Sequence, residues 1–398
     1  MMHDPMSVGL DPIRLSRVGD WMRRWVDSGR LTGMTVMVHR KGHLAYAESV
    51  GLADRERGLA MAPETVVRIY SMTKPLTSVA LMMLYEEGRF QLDDPIAAAL
   101  PCFARMRVWE GEGRETAPAA RPITYRDLLT HTAGLGYGFI PTAVGAMYQA
   151  GGVDFQTSDL TLAEVVEQVA GMPLLAQPGS AWNYSVATDV AGRLVAVHSG
   201  MEFGDFLTRR VLHPLGMAET GFHVTDAQRP RFAANYVPGP DGRAALLDDP
   251  STSKFLVPRL ASGGGGLVGT AGDYMRFCRF LLGRGELEGV RLLGRKTVAL
   301  MMSNHLGGDM ASMGAPRFSE SSFAGIGFGL GFSVMLDPAA AQIVGSPGEC
   351  AWGGAASTGF WVDPAEDMAV VLLTQLTPSS TYPIRKELRV LTYAALVD

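Results

Sequence analysis

Residues 68–88 read RIYSMTKPLTSVALMMLYEEG. Ser71 is followed three positions later by Lys74, and then by an almost unbroken apolar run. Residues three apart share one face of a helix, so Ser71 and Lys74 are expected to be neighbours. Ser71 would sit at the helix N-terminus, where backbone N–H groups lack partners and the dipole is positive. Pro75 falls near the first turn, where its missing N–H costs little. Lys74 is the odd residue. Leu76, Val79, Ala80, Met83 and Leu84 leave little room for a solvated face, and a buried lysine is costly unless paired or deprotonated. An amine beside a hydroxyl in an apolar site is one way to make serine a nucleophile without histidine. Taken alone, the tetrapeptide also fits a capping serine and a lysine that reaches solvent.

The flanking sequence is that of a folded α/β protein. Upstream, Asp11-Pro12 is a helix start, followed by Leu15, Val18, Met22 and Trp25 at helical spacing and closed by Gly29. TVMVHRKGHLAYAESVGLAD, 35–54, reads as two strands joined at Lys41-Gly42. From about 90 to 235 the segments look mainly helical. Thr161 to Glu164 form a capping box, and residues 186–198 form a further helix. Beyond 236 come glycine-rich turns and short strands. GFWVDPAEDMAVVLLTQ, 359–375, reads as a hairpin turning at Asp363 to Asp367, and the final helix carries Ile384, Leu388, Leu391 and Ala395 on one face. Residues 136–160 and 306–325 read as long glycine-rich loops at the entrance to a site.

A chain of 398 residues is large for one core. The pattern predicts a mainly antiparallel mixed sheet flanked by helices, built from residues 1–75 and 236–398. A mainly helical subdomain, 76–235, is inserted, with the active site at the interface. The composition, 47% hydrophobic and 19% charged, excludes disorder. A net charge of −5 without a Lys/Arg run argues against nucleic-acid binding. No apolar stretch has the length of a membrane span. The N-terminal sequence lacks the features of a signal peptide, which predicts a cytoplasmic protein. Cys102, Cys278 and Cys350 lack a CxxC pair and read as small buried hydrophobes rather than a disulfide framework or a zinc site.

Three more stretches bear on chemistry. PITYRDLLTHTAGL, 122–135, looks like a capped helix ending at Gly134, with His131 a hydrogen-bonded histidine at its end rather than a base. PGSAWNYSVATDVAGRL, 178–194, places Tyr184 just before a helix, where its hydroxyl can point into a cleft or its ring can simply pack. CAWGGAASTGFWVDP, 350–364, has Gly353-Gly354 ahead of a strand, which suggests either close backbone approach or a plain turn. There is no GxSxG elbow. The eight histidines, at 3, 39, 43, 131, 198, 213, 223 and 305, offer no obvious base partner, and no HExxH or other clustered metal ligands are present.

In this order, the four stretches resemble the serine β-lactamase and penicillin-binding protein superfamily. They are most similar to the family VIII carboxylesterases, which look like class C β-lactamases. The SxxK element is Ser71 to Lys74, the Tyr-x-Asn element is Tyr184-Ser185-Val186, and the Lys-Thr-Gly strand is replaced by Trp352-Gly353-Gly354. A glycine-rich stretch typical of the group is SGGGGLVGTAGDYMRF, 262–277. The resemblance runs from about residue 10 to the end of the chain, and implies a β-lactamase/transpeptidase-like fold. It also implies Ser71 as nucleophile and Lys74 with Tyr184 as a coupled proton acceptor. The backbone N–H groups of Ser71 and Ala355 would be the oxyanion hole, with Trp352, Gly353 and Gly354 at the substrate and Asp189 behind the site.

Two departures matter. Val186 stands where β-lactamases have asparagine, and Trp352 where they have a lysine that holds the substrate carboxylate. Tryptophan offers one N–H donor and a large apolar face, so neutral apolar esters are the expected substrates, with weak β-lactam hydrolysis as a side activity. No cofactor or metal is required. An acyltransferase using the same acyl-enzyme, a β-lactamase or DD-peptidase proper, and a non-enzymatic binding protein on the same fold are the alternatives.

Overall fold

Asp11 caps the first helix, α1 (Pro12–Asp27), by accepting the N–H groups of Ile13 and Arg14. Leu15, Val18 and Met22 are buried along it. In this computed structural model, which describes residues 2–113, 115–154, 158–314 and 322–398, eight strands form one sheet. They are β1 (Gly33–Arg40), β2 (His43–Asp54), β3 (Leu59–Ala60), β4 (Ile326–Phe328), β5 (Ser333–Met335), β6 (Cys350–Gly353), β7 (Gly359–Asp363) and β8 (Met368–Thr374). The order is β4-β5-β6-β7-β8-β1-β2-β3, and neighbours run antiparallel throughout.

The seam at the middle joins distant parts of the chain, with Met34 opposite Thr374 and Arg40 opposite Met368. Side chains alternate across it. Met34, Val36 and Val38 of β1, with Met368, Val370 and Leu372 of β8, face α1 and the last helix, α8 (Ile384–Tyr393). Ala369, Val371 and Leu373 face the opposite way, into the core that includes α7 (Ala271–Leu282). Because both faces are covered, β1 and β8 are buried at every residue; β8 reads as a near-continuous apolar run, whereas β1 is interrupted by Thr35 and ends in His39 and Arg40.

Between β3 and β4 lie the helices that carry the site: α2 (Thr73–Glu86), α3 (Tyr125–Leu129), α4 (Ala143–Ala150), α5 (Leu162–Ala170) and α6 (Ala187–Ser199). Helix α2 is buried from Thr73 to Leu84. The Thr161–Glu164 capping box opens α5 as expected. Three expectations are corrected. The helix within 122–135 is only five residues long, because His131 turns left-handed (φ 58°) and Gly134 follows (φ 80°). Residues 136–160 contain α4, which Thr142 starts by accepting the Gly145 N–H. Of the two expected loops, residues 155–157 and 315–321 lie outside the described residues. Cys102 is exposed, whereas Cys278 and Cys350 are buried. Among the described residues, no helix is long and apolar enough to cross a membrane.

Candidate active site

Ser71 sits in a single 3-10 turn, Tyr70–Met72, that runs directly into α2. Tyr70, just before it, is left-handed (φ 46°), a costly conformation for a bulky residue. The buried Tyr70 ring holds that turn in place, with its hydroxyl accepting from Asn235 Nδ2 at 3.2 Å.

Lys74 is 1% exposed. Its Nζ makes three contacts, to Gly264 O (2.7 Å), Tyr137 Oη (3.0 Å) and Ser71 Oγ (3.2 Å). It also lies 4.5 Å from the centre of the Tyr184 ring. Three hydrogen-bond partners surround the buried nitrogen, so burial does not leave it orphaned. Tyr184 Oη completes the group, 2.6 Å from Ser71 Oγ.

Tyr184 is placed by its backbone neighbours. The Asn183 N–H donates to His131 O (2.8 Å) and the Val186 N–H to Gly136 O (3.1 Å), so residues 183–186 lie along the chain at 131–136. His131 Nδ1 is 3.2 Å from Ser185 Oγ. Burial, followed by the charge of Lys74, pushes the His131 imidazole well below its ordinary pKa. It is a neutral packing residue under Tyr184, with the two rings 5.1 Å apart.

Two glycines let the 262–277 stretch come close. A Cβ on Gly263 would stand 2.5 Å from Thr188 O, and one on Gly264 would stand 2.6 Å from Asp189 Oδ2. Asp189, on α6, accepts Ser262 Oγ (2.6 Å) and the Gly264 N–H (3.1 Å). It is linked to Lys74 through Gly264, whose carbonyl lies 2.7 Å from Lys74 Nζ. Burial pushes the Asp189 carboxyl up, against the lowering by its Ser262 bond and by Lys74.

Tyr137 was not singled out from the sequence. It lies two residues beyond the 122–135 segment, and only the fold brings its hydroxyl to Lys74. Burial, with the neighbouring Tyr184, Asp189 and Asp154, pushes its phenol well above the ordinary value, so it stays a neutral hydroxyl.

The opposite wall is the β6–β7 hairpin. Trp352 stands 5.5 Å from Tyr184 and edge-on to Phe328 at 5.3 Å, ring centre to ring centre. Gly354 packs against the turn that carries Ser71, and a Cβ there would fall 2.4 Å from Ile69 O. Ser71, Tyr184, Trp352, Gly353, Gly354 and Ala355 line one cavity of about 580 Å³. Phe139, Ile140 and Pro141 line another part of it, so that a serine hydroxyl, an amine and a phenol meet beside a largely apolar space. That arrangement suits acyl transfer through serine.

The Beta-lactamase family profile matches residues 18–394. An uncharacterized protein of Mycobacterium tuberculosis is 37% identical over 370 residues, covering 90% of this chain and 89% of its own. Esterase EstB of Burkholderia gladioli is 33% identical over 389 residues, covering 93% of each. Among solved structures, EstCE1, described as a hydrolase with promiscuous acyltransferase activity, superposes with a TM-score of 0.83 at 30% identity. It covers 96% of this chain and 99% of its own. A match spanning nearly the whole chain, with an esterase among the relatives that share it, places this protein in the Beta-lactamase family, among the family VIII carboxylesterases that look like class C β-lactamases.

Proposed function

We propose that the protein is a serine carboxylesterase that hydrolyses short-chain or neutral apolar esters through an acyl-enzyme on Ser71. The observation that carries this reading is the convergence of Tyr184 Oη (2.6 Å) and Lys74 Nζ (3.2 Å) on one hydroxyl, Ser71 Oγ. The name of Esterase EstB and the description of EstCE1 as a hydrolase support it.

In this mechanism the reactive form of the Lys74–Tyr184 pair holds one proton fewer than an ammonium and a phenol together; Ser71 Oγ attacks the ester carbonyl carbon, and its proton passes to that pair. The carbonyl oxygen becomes an oxyanion held by the backbone N–H groups of Ser71 and Ala355. Collapse breaks the bond to the alcohol oxygen, which leaves with a proton from Tyr184. Water then attacks the acyl carbon, gives its proton to Tyr184, and releases the acid and a protonated Ser71. Trp352 walls the pocket and offers no cation for a substrate carboxylate at that position, which favours neutral esters over anionic β-lactams, although Arg385, Lys386 and Arg389 line the same cavity.

The test is paired kinetics on p-nitrophenyl butyrate and nitrocefin, for the wild type and Ser71→Ala. The ester is turned over strongly, nitrocefin weakly, and Ser71→Ala loses both. Full ester turnover by Ser71→Ala would end this mechanism, and a dominant nitrocefin activity would reverse the argument from Trp352. Transfer to an alcohol is the second reading, favoured by the activity named for EstCE1. An added alcohol gives a new ester if transfer competes, and only free acid if it does not.

A further inference from the structure

The tip of the β6–β7 hairpin, Gly354 to Thr358, is gripped by a single side chain. Arg385, in the first turn of α8, donates Nη2 to Gly354 O (3.0 Å) and to Thr358 O (2.7 Å), and Nε to Thr358 O (3.0 Å). Within the tip, the Gly354 N–H donates to Thr358 O (3.0 Å) and the Ser357 N–H to Gly354 O (3.1 Å). The far side is tied to the chain beyond β8, with the Leu376 N–H on Ala356 O (3.1 Å) and Ser357 Oγ on Leu376 O (2.6 Å).

The arginine has a seat built for it. Gly353 and Gly359 are opposed across the β6–β7 ladder. A Cβ on Gly353 would come within 2.7 Å of Arg385 Nη2, and one on Gly359 within 3.1 Å of Nε. The guanidinium therefore lies where those two side chains would otherwise be.

Gly354 C=O and Ala355 N–H are opposite ends of one planar trans peptide unit. Holding the carbonyl fixes the direction of the N–H. A cationic donor on the carbonyl makes a stronger bond than a neutral one, and bonds in series polarise one another. It also places positive charge behind a group that must stabilise developing negative charge without reorganising.

We propose that Arg385 is a positioning residue for the reaction: by gripping Gly354 O it aims and polarises the Ala355 N–H toward the oxyanion of the tetrahedral intermediate. The proposal rests on the reading of Ser71 as nucleophile and Ala355 as oxyanion donor.

The experiment compares wild type, Arg385→Gln, Arg385→Lys and Ser71→Ala on p-nitrophenyl butyrate, with phenylboronic acid as the tetrahedral probe. Losing an oxyanion donor outright costs about 10²–10³ in rate. Loosening one by Arg385→Gln is expected to lower kcat roughly 10- to 100-fold while KM stays within about threefold. The Ki of phenylboronic acid should rise by the same factor as kcat/KM falls, and Arg385→Lys should recover part of both. A clamp that only stabilises the fold would lower the melting temperature without this split. An Arg385→Gln enzyme with kcat within about threefold of wild type, or with lowered kcat but unchanged Ki, overturns the proposal. If Arg385→Gln does not fold, Arg385→Lys carries the same comparison, and wild-type kcat and Ki there would overturn it. Activity in Ser71→Ala would remove the underlying reading instead, whatever Arg385 does.

Discussion

Tyr184 Oη lies 2.6 Å from Ser71 Oγ, although the two residues are 113 positions apart. The contact depends on residues 183–186 lying along the chain at 131–136. Tyr184→Phe keeps the ring against Trp352 and removes only the hydroxyl. The loss of a proton-transfer group lowers kcat by about 10²–10⁴, with KM and the circular dichroism spectrum little changed. A loss below tenfold in steady-state turnover would assign the proton to another group.

Tyr137→Phe removes the partner 3.0 Å from Lys74 and strands one buried donor. Such a loss is worth about 1–3 kcal/mol. Turnover of the ester should fall about tenfold or somewhat more, and by less than in Tyr184→Phe. Equal losses in the two variants would mean that Tyr137 takes part in proton transfer itself.

Gly354→Ala would push a methyl to 2.4 Å from Ile69 O and 2.3 Å from Thr358 Oγ1. Overpacking of this kind costs about 1–3 kcal/mol, and here it falls between the turn that carries Ser71 and the hairpin tip. Activity should drop more steeply than the melting temperature. Gly272→Ala, with nothing within 4 Å of the new carbon and a position inside α7, is the control and should be neutral or stabilising. Parallel behaviour of the two variants would discount the close approach at Gly354.

Trp352→Lys places a cation in the pocket wall and removes the ring that packs on Tyr184 and Phe328. Ester kcat/KM should fall and nitrocefin kcat/KM should rise, so that their ratio shifts by at least tenfold. An unchanged ratio in the paired assay would show that this position does not select between neutral and anionic substrates.

His39, buried on β1, has its pKa lowered to about 4, first by burial and next by the charge of Arg279. Between pH 4 and 6.5 the unfolded chain binds a proton there that the folded chain does not. Stability therefore falls as pH drops through that window, by about 1.4 kcal/mol per pH unit from this residue, and is unaffected by it above pH 6.5. His39→Leu should remove about 2 kcal/mol of the acid loss seen at pH 5. Denaturant melts at pH 5 and pH 7.5 test this, and parallel losses in the two proteins would contradict it.

Four of the eight sheet strands, β1, β2, β7 and β8, were legible because their signals are local. β1 and β2 flank Lys41-Gly42, and β7 and β8 flank Asp363 to Asp367, so alternation and turn residues were enough. Ser71 and Lys74 were legible because helical spacing fixes them as neighbours. Tyr137 was not, since its role depends on where the chain turns after Gly134. The early end of α3 was missed for a related reason. His131 adopts a left-handed conformation (φ 58°) that its residue type does not announce. Arg385 reads as one charge on an amphipathic helix, and only the glycine pair across β6 and β7 shows what it is for.

The central seam has a further consequence, for synthesis rather than catalysis. Thr374 Oγ1 of β8 bonds to Gly33 O of β1, across 341 positions of chain. At ribosomal rates, β1 waits roughly 17–70 s for its partner. During that time a strand with every residue destined for burial can pair on one side only, with β2. The nascent chain thus carries an open apolar edge until β8 has emerged, and such long-range pairing is the kind that folds slowly and exposes a strand edge on the way. Once the seam closes, the same pairing holds the two distant segments side by side.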